Sequence, residues 1–450
     1  MNLVMLVALT VLVQAVRSFA PESANASAVA LSCGFLLMAG FFAGRVFKDF
    51  GLPKLTGYLT AGIVFGPQVL DVVSTPVLGS LGIFKGVAVA LLALTAGLEM
   101  HIPTIRPLFR SVRWIMLIAV FGTTILLAIA VILARPLLPF LDGLETGQLI
   151  AVAIVLAITA TAQSPAVAVA VRDETAADGP MVKTMLAVVV FADLVVIVLF
   201  AIATTLAQST FGASADAGAT ALSLSWHVGG SIIVGIAIGF LVALFVSRIQ
   251  GGRALFIGAV AFVIAEVGER LHLDPLVVSL AAGIFIRNLS SVADRVHDAV
   301  EAAGFPVYIA FFAIAGAGVH LDALVVFALP AGLFVLTRGL GFWAGTHIAA
   351  RIAQAPDVVR RYGAFGLLPQ AGLALALAGL FTESFPSLGA GGGDLVFSIV
   401  AINEMIAPVL YRLAILRSGE AGKLSPADGA HGSAIAEPDP TAHARPVEPA

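Results

Sequence analysis

The sequence predicts an all-α polytopic membrane protein with 13–14 transmembrane helices, arranged as two inverted-topology repeats. Three observations carry this. The 450 residues are 60% hydrophobic and 11% charged, with a mean hydropathy of +1.04; a soluble domain carries about 25% charged residues. Apolar runs of roughly 20 residues recur from end to end, each long enough to cross ~30 Å of hydrocarbon. Lys and Arg concentrate in alternate connections between those runs, the pattern of a chain that crosses a membrane repeatedly.

The elements follow in order. Residues 2–19 read as a retained first span. The competing reading is a signal peptide, because Ala24-Asn25-Ala26 resembles a cleavage site, but a positive n-region is missing. Further spans are predicted at 27–47, 54–69, 84–100, 113–139, 148–171, 181–207, 225–249, 253–270, 275–289, 302–319, 325–350, 360–382 and 394–416. Asp274-Pro275 is a helix start, with an N-cap acid before a first-turn proline. The segment 418–450 is rich in Pro, Ala, Gly, Asp and His and is expected to be a disordered tail. Basic residues cluster around 45–54, 106–113, 172–183, 248–253, 287–295, 351–361 and 412–423. This alternation predicts a cytoplasmic C-terminus in the cell (inner) membrane and an external 208–224 loop. Cys33 is the single cysteine, so no intrachain disulfide exists.

A repeat is visible. Leu59-Thr60-Ala61-Gly62-Ile63 returns as Leu280-Ala281-Ala282-Gly283-Ile284, and Ala96-Gly97-Leu98 as Ala317-Gly318-Val319. Gly62 precedes Gly97 by 35 residues, the same spacing as Gly283 to Gly318. An offset of seven spans, an odd number, inverts the second copy in the membrane. The repeats are placed at about 26–207 and 253–417, joined by a linking helix at 225–249. Inverted repeats with broken helices near the midplane mark secondary transporters. Two such breaks are predicted: one at Ala162-Gln163-Ser164-Pro165, the other at Pro369-Gln370-Ala371-Gly372. Each proline removes a backbone donor and clashes with the preceding turn.

Asp193 is the candidate ion and proton site. It lies near the middle of the apolar run 181–207, where an ionised carboxylate costs about 2.5–3.5 kcal/mol and is by default functional. Thr95, Thr161, Gln163 and Ser164 are candidate oxygen ligands, each competing with an ordinary helix-packing role. Arg338 is a mid-span cation that serves either as counter-ion to the breaks or as partner of Asp193. Glu404, the approximate repeat-mate of Asp193, reads as a structural charge, a partner of Arg338 or a helix end. Glu99 reads as a solvated helix end.

Gly57-Tyr58-Leu59-Thr60-Ala61-Gly62-Ile63-Val64-Phe65-Gly66-Pro67 resembles the GYLLAGILLGP-like second helix of monovalent cation:proton antiporters. Leu91 to Glu99, ending Ala96-Gly97-Leu98-Glu99, resembles the third helix of the branch containing bacterial potassium-efflux and sodium/proton antiporters. The resemblance covers about 26–417. It implies a sodium/proton antiporter-like fold with a dimerisation domain and a six-helix core, an elevator-like motion and a homodimer. It assigns Asp193 to the ion-binding acid. Ala192 departs from the Asn, Asp or Gln usual before that acid. Arg338 stands where lysine is frequent. Gln370 and Gly372 stand in place of an Arg/Glu-containing motif.

The expected function is exchange of Na+ or K+ for protons across a lipid bilayer. The alternatives are an organic-anion or other solute transporter of the same fold, and a non-transporting sensor. The eight histidines show no metal-ligand spacing, and no nucleophile elbow, phosphate loop or zinc motif is present. An enzyme, a cofactor and a nucleic-acid partner are not expected.

Overall fold

The computed structural model describes residues 26–211, 226–248, 251–271, 273–319, 321–370 and 372–423. The expected first span within 1–25, residues 212–224 of the external loop, the tail beyond 423, His320 and Ala371 lie outside these residues. In chain order the principal helices are α1 Ala26–Asp49, α2 Lys54–Phe65, α3 Gly82–Glu99 and α4 Arg106–Leu133. Then come α5 Thr146–Thr161, α6 Pro165–Glu174, α7 Pro180–Thr210 and α8 Ser231–Arg248. The remainder are α9 Arg253–Leu271, α10 Pro275–Leu289, α11 Ala293–Ala317, α12 Ala328–Ala353, α13 Asp357–Tyr362, α14 Gly372–Ser384 and α15 Gly391–Ser418.

Seven stretches among the described residues are long and apolar enough to cross a membrane, namely Val29–Asp49, Arg106–Leu133, Thr146–Glu174, Pro180–Thr210, Val228–Arg248, Ala293–Ala317 and Gly391–Ser418. Shorter apolar helices sit among them, such as Gly86–Glu99 and Pro275–Leu289. Several predicted boundaries move for local reasons. α4 stops at Leu133, not 139, because Pro136 and Pro139 allow only 3₁₀ turns there. α11 begins at Ala293, not 302, and continues through Pro306. Residues 418–423, expected within the tail, belong to the described residues. Glu420 is buried, and its carboxylate accepts the amides of Met181 (2.8 Å) and Val182 (2.9 Å), capping α7.

Two groups of helices result. α1–α3 and α8–α11 pack into one, whose buried residues form two apolar clusters of their own. α4–α7 and α12–α15 form the other, around Leu127, Val155, Phe200, Phe334 and Phe381. Close approach inside the first group depends on small residues. A Cβ on Gly283 would stand 2.8 Å from the Gly97 Cα, and a Cβ on Gly97 would overlap the Leu280 carbonyl oxygen. The repeated Ala-Gly pattern therefore reflects α3 crossing α10 backbone to backbone. By the same logic α2 crosses α11, where a Cβ on Gly62 would overlap the Ala313 carbonyl oxygen.

Candidate functional site

Both predicted helix breaks are present, and they meet. α5 ends at Thr161; Ala162, Gln163 and Ser164 are non-helical, and Pro165 opens α6. The Ser164 Oγ accepts the Val167 amide at 3.2 Å, so the new start is capped as its sequence dictates. In the second half a 3₁₀ turn at Gly363–Leu367 leads through Leu368, Pro369 and Gln370 to α14.

Breaking two helices inside the protein exposes carbonyls that need donors. Arg338, 1% exposed on α12, supplies most of them. Its Nη1 donates to the Leu368 carbonyl at 2.7 Å, and its Nη2 donates to Ala162 and Leu367, both at 3.1 Å. The guanidinium also lies 4.7 Å from the centre of the Phe342 ring. Gln370 reaches the other way, donating from Nε2 to Ala160 (2.9 Å) and Ala162 (3.1 Å). Its Oε1 accepts from the Asn403 amide at 2.7 Å. The two breaks are thus tied by one arginine and one glutamine. Arg338 makes no hydrogen bond to Asp193 among the described residues.

Asp193 lies beside this crossing, fully buried on α7. It faces the Gln163 backbone, yet neither carboxylate oxygen makes a hydrogen bond of normal geometry among the described residues. The Gln163 Oε1 is likewise buried without a donor. Such orphaned acceptors are rare and call for an explanation.

Asp193 and Gln163 both line a cavity of about 1110 Å³ between the two helix groups. Its wall includes Asp193, Gln163, Ser164, Pro165, Asp274 and Glu404, and no lysine, arginine or histidine among the described residues. It opens where exposed Gln68, Thr75 and Gly79 line it, at the end of the molecule opposite the arginine-rich connections.

Five of the expected site residues therefore share one space: Asp193, Gln163, Ser164, Pro165 and Glu404. Thr161 does not line it; its hydroxyl donates to Ala157 O (2.7 Å) and accepts from Thr124 (3.1 Å). Thr95 does not line it either, donating to Leu91 O at 3.0 Å beside the Tyr308 hydroxyl. Both behave as helix hydroxyls satisfied by the preceding turn. Glu99 is not a solvated helix end: it pairs with Arg172 at 2.6 Å. Sequence reasoning missed Asp274 as part of the wall, having read it as a helix cap. It is both, accepting the Leu276 amide at 2.8 Å. It also missed Asn403, which donates to Gln370 beside Glu404.

The sodium/hydrogen exchanger transmembrane family model matches residues 34–410. The chain is 26% identical over 408 residues to the Na(+)/H(+)-K(+) antiporter GerN of Bacillus cereus, spanning 87% of this chain and 97% of that protein. It is 21% identical over 384 residues to the probable Na(+)/H(+) antiporter 3 of Methanocaldococcus jannaschii, covering 82% and 91% of the two chains. It is 28% identical over 325 residues to the glutathione-regulated potassium-efflux protein KefC of Escherichia coli, of which it matches 48%. Among solved structures, the sodium proton antiporter MjNhaP1 of Methanocaldococcus jannaschii superposes with a TM-score of 0.69 at 16% identity, over 89% of this chain and 97% of that one.

Proposed function

Because the chain belongs to the sodium/hydrogen exchanger family, we propose that it exchanges a monovalent cation, Na+ or K+, for protons at Asp193. The observation that carries this is Asp193, fully buried with no side-chain donor to its carboxylate, on a cavity whose described wall is acidic and holds no basic side chain. A bare carboxylate at that depth is costly. A bound proton or a bound cation neutralises it, and the two exclude each other at one group. Competition alone therefore couples the two ions. The Gln163 Oε1 and the Ser164 hydroxyl supply further oxygens of the kind hard cations take. Both lie on the unwound segment, where they are free of the helix ladder.

Alternating access would then present this site to one side and the other as the two helix groups move relative to each other. The proposal includes a homodimer in the inner membrane with its C-terminus in the cytoplasm, supported for the last part by the basic connections. An organic anion is disfavoured: Arg338 is occupied by carbonyls and does not border the cavity.

The test is cation-driven proton movement in proteoliposomes, one cation at a time. Wild-type protein should release protons on addition of Na+ or K+. Asp193→Asn should not, while eluting as a folded protein, because the amide removes a costly charge but carries no proton. Undiminished exchange by the Asn variant removes Asp193 from the mechanism.

A further inference from the structure

The cavity stops short of the opposite end of the molecule. Along α3 its wall runs from Gly86 to Ala96, one turn before Glu99; along α6 it takes only Pro165 and Ala166. Beyond those points Leu55 and Leu59 of α2, Met100, and Val167 and Val171 of α6 are buried in one apolar cluster that spans both helix groups. At the outer edge of that plug Glu99, the last residue of α3, meets Arg172 of α6, with Nη1 2.6 Å from Oε1. The side chains are 11% exposed for Arg172 and 22% for Glu99. The arginine is held from its own side. Its Nε donates to the Ala177 carbonyl (3.3 Å), and its Nη1 also reaches Asp173 Oδ1 (3.2 Å). The carboxylate comes from the other group.

Two further ties run beside it. Both Glu174 oxygens accept the Lys54 amide that begins α2, at 3.0 and 3.1 Å, and Arg412 of α15 donates to the Gly51 carbonyl. All three contacts join α6 or α15 to the α1–α3 side.

We propose that the Glu99–Arg172 ion pair is the latch that keeps the protein sealed at this end. Its release is what lets the Asp193 cavity open at the Glu99 face. The proposal rests on the alternating-access reading above and names the contact that must break in each cycle. Sealed, the pair is a charge-assisted hydrogen bond in a partly dry setting, stronger than a neutral one. Opened, both groups are rehydrated, so release is costly but attainable. Glu99→Gln keeps the shape and leaves only a neutral acceptor. The equilibrium should then shift towards the state open at the Glu99 face.

The experiment uses the full chain with Cys33→Ser and one reporter, Ala166→Cys, in the cavity wall. An impermeant thiol reagent is applied to either face of oriented vesicles, and the ratio of the two labelling rates is read. Glu99→Gln and Arg172→Gln should each move that ratio towards the Glu99 face by about tenfold, equivalent to about 1.4 kcal/mol. The exchanged pair, Glu99→Arg with Arg172→Glu, should bring it back. An unchanged ratio in both single variants overturns the latch. So does a shifted ratio that the exchanged pair fails to restore, since the cause would then be local packing. Labelling requires no transport. A protein that exchanges no cation yet shifts its ratio counts against the exchange reading alone. One that exchanges normally with a fixed ratio counts against the latch alone.

Discussion

Asp193 and Arg338 are both buried charges at mid-depth, and the protein treats them in opposite ways. Arg338 spends its donors on three carbonyls, which makes it part of the scaffold. Asp193 is buried on the cavity wall, and neither of its oxygens has a side-chain donor among the described residues, as expected of a group kept for an ion. Gln370 belongs with Arg338: it bridges the first break to Asn403. Gln370→Leu leaves the buried Asn403 amide and the Ala160 carbonyl without this partner, at a cost of about 1–3 kcal/mol. The unfolding temperature of the detergent-solubilised protein should fall. Asn403→Leu should also lower it, and the double variant should lose less than the sum, because the two changes remove one shared contact. Strict additivity in that cycle contradicts the bond.

At the scale of the element, the helices that matter are the interrupted ones and the ones that touch. Pro165 and Ser164 set the start of α6 by ordinary capping chemistry, so the first break is legible in the sequence to within a residue or two. The second is legible as a proline only, because its partners come from α12 and α15. The glycines divide in the same way. Gly97 faces Leu280 and Gly283 of α10 with no room for a side chain, whereas Gly339 has open space around it. Gly97→Val should disrupt the α3–α10 crossing and lower folded yield sharply. Gly339→Ala should be neutral or stabilising by about 0.5–1 kcal/mol, the ordinary gain of alanine over glycine within a helix. Fluorescence-detected gel filtration after heating separates the two outcomes. A well-folded Gly97→Val protein contradicts the packing.

For the whole molecule, the arrangement bears on charge balance. Ala192 offers no second acid beside Asp193, and arginine at 338 does not give up its proton as a lysine can. One titrating group exchanged against one monovalent cation moves no net charge. Transport should therefore be electroneutral: with the potential clamped by an ionophore, an imposed voltage should leave the equilibrium Na+ gradient unchanged. A gradient that follows the voltage requires a second proton carrier, and Glu404 and Asp274 on the cavity wall are the first to neutralise. Orientation is tested separately. A cysteine placed after Lys423 in the Cys33→Ser background should resist impermeant thiol reagents outside intact cells. Labelling there reverses the topology and with it the side on which the cavity opens.

The sequence by itself determined the class, the inverted repeat, the two breaks and the one deeply buried acid of α7. These are readable because lipid forbids unpaired backbone and tolerates charge poorly, so each exception shows against an apolar background. The three-dimensional arrangement decided what those exceptions touch. Hydroxyls at Thr95 and Thr161 turned inwards to their own helices. Arg338 went to carbonyls 29 to 176 residues away. Asp274, written as a cap, joined the cavity wall, and Glu99 found Arg172. Partner choice of this kind depends on how two helix groups dock, and no periodicity along one chain encodes it.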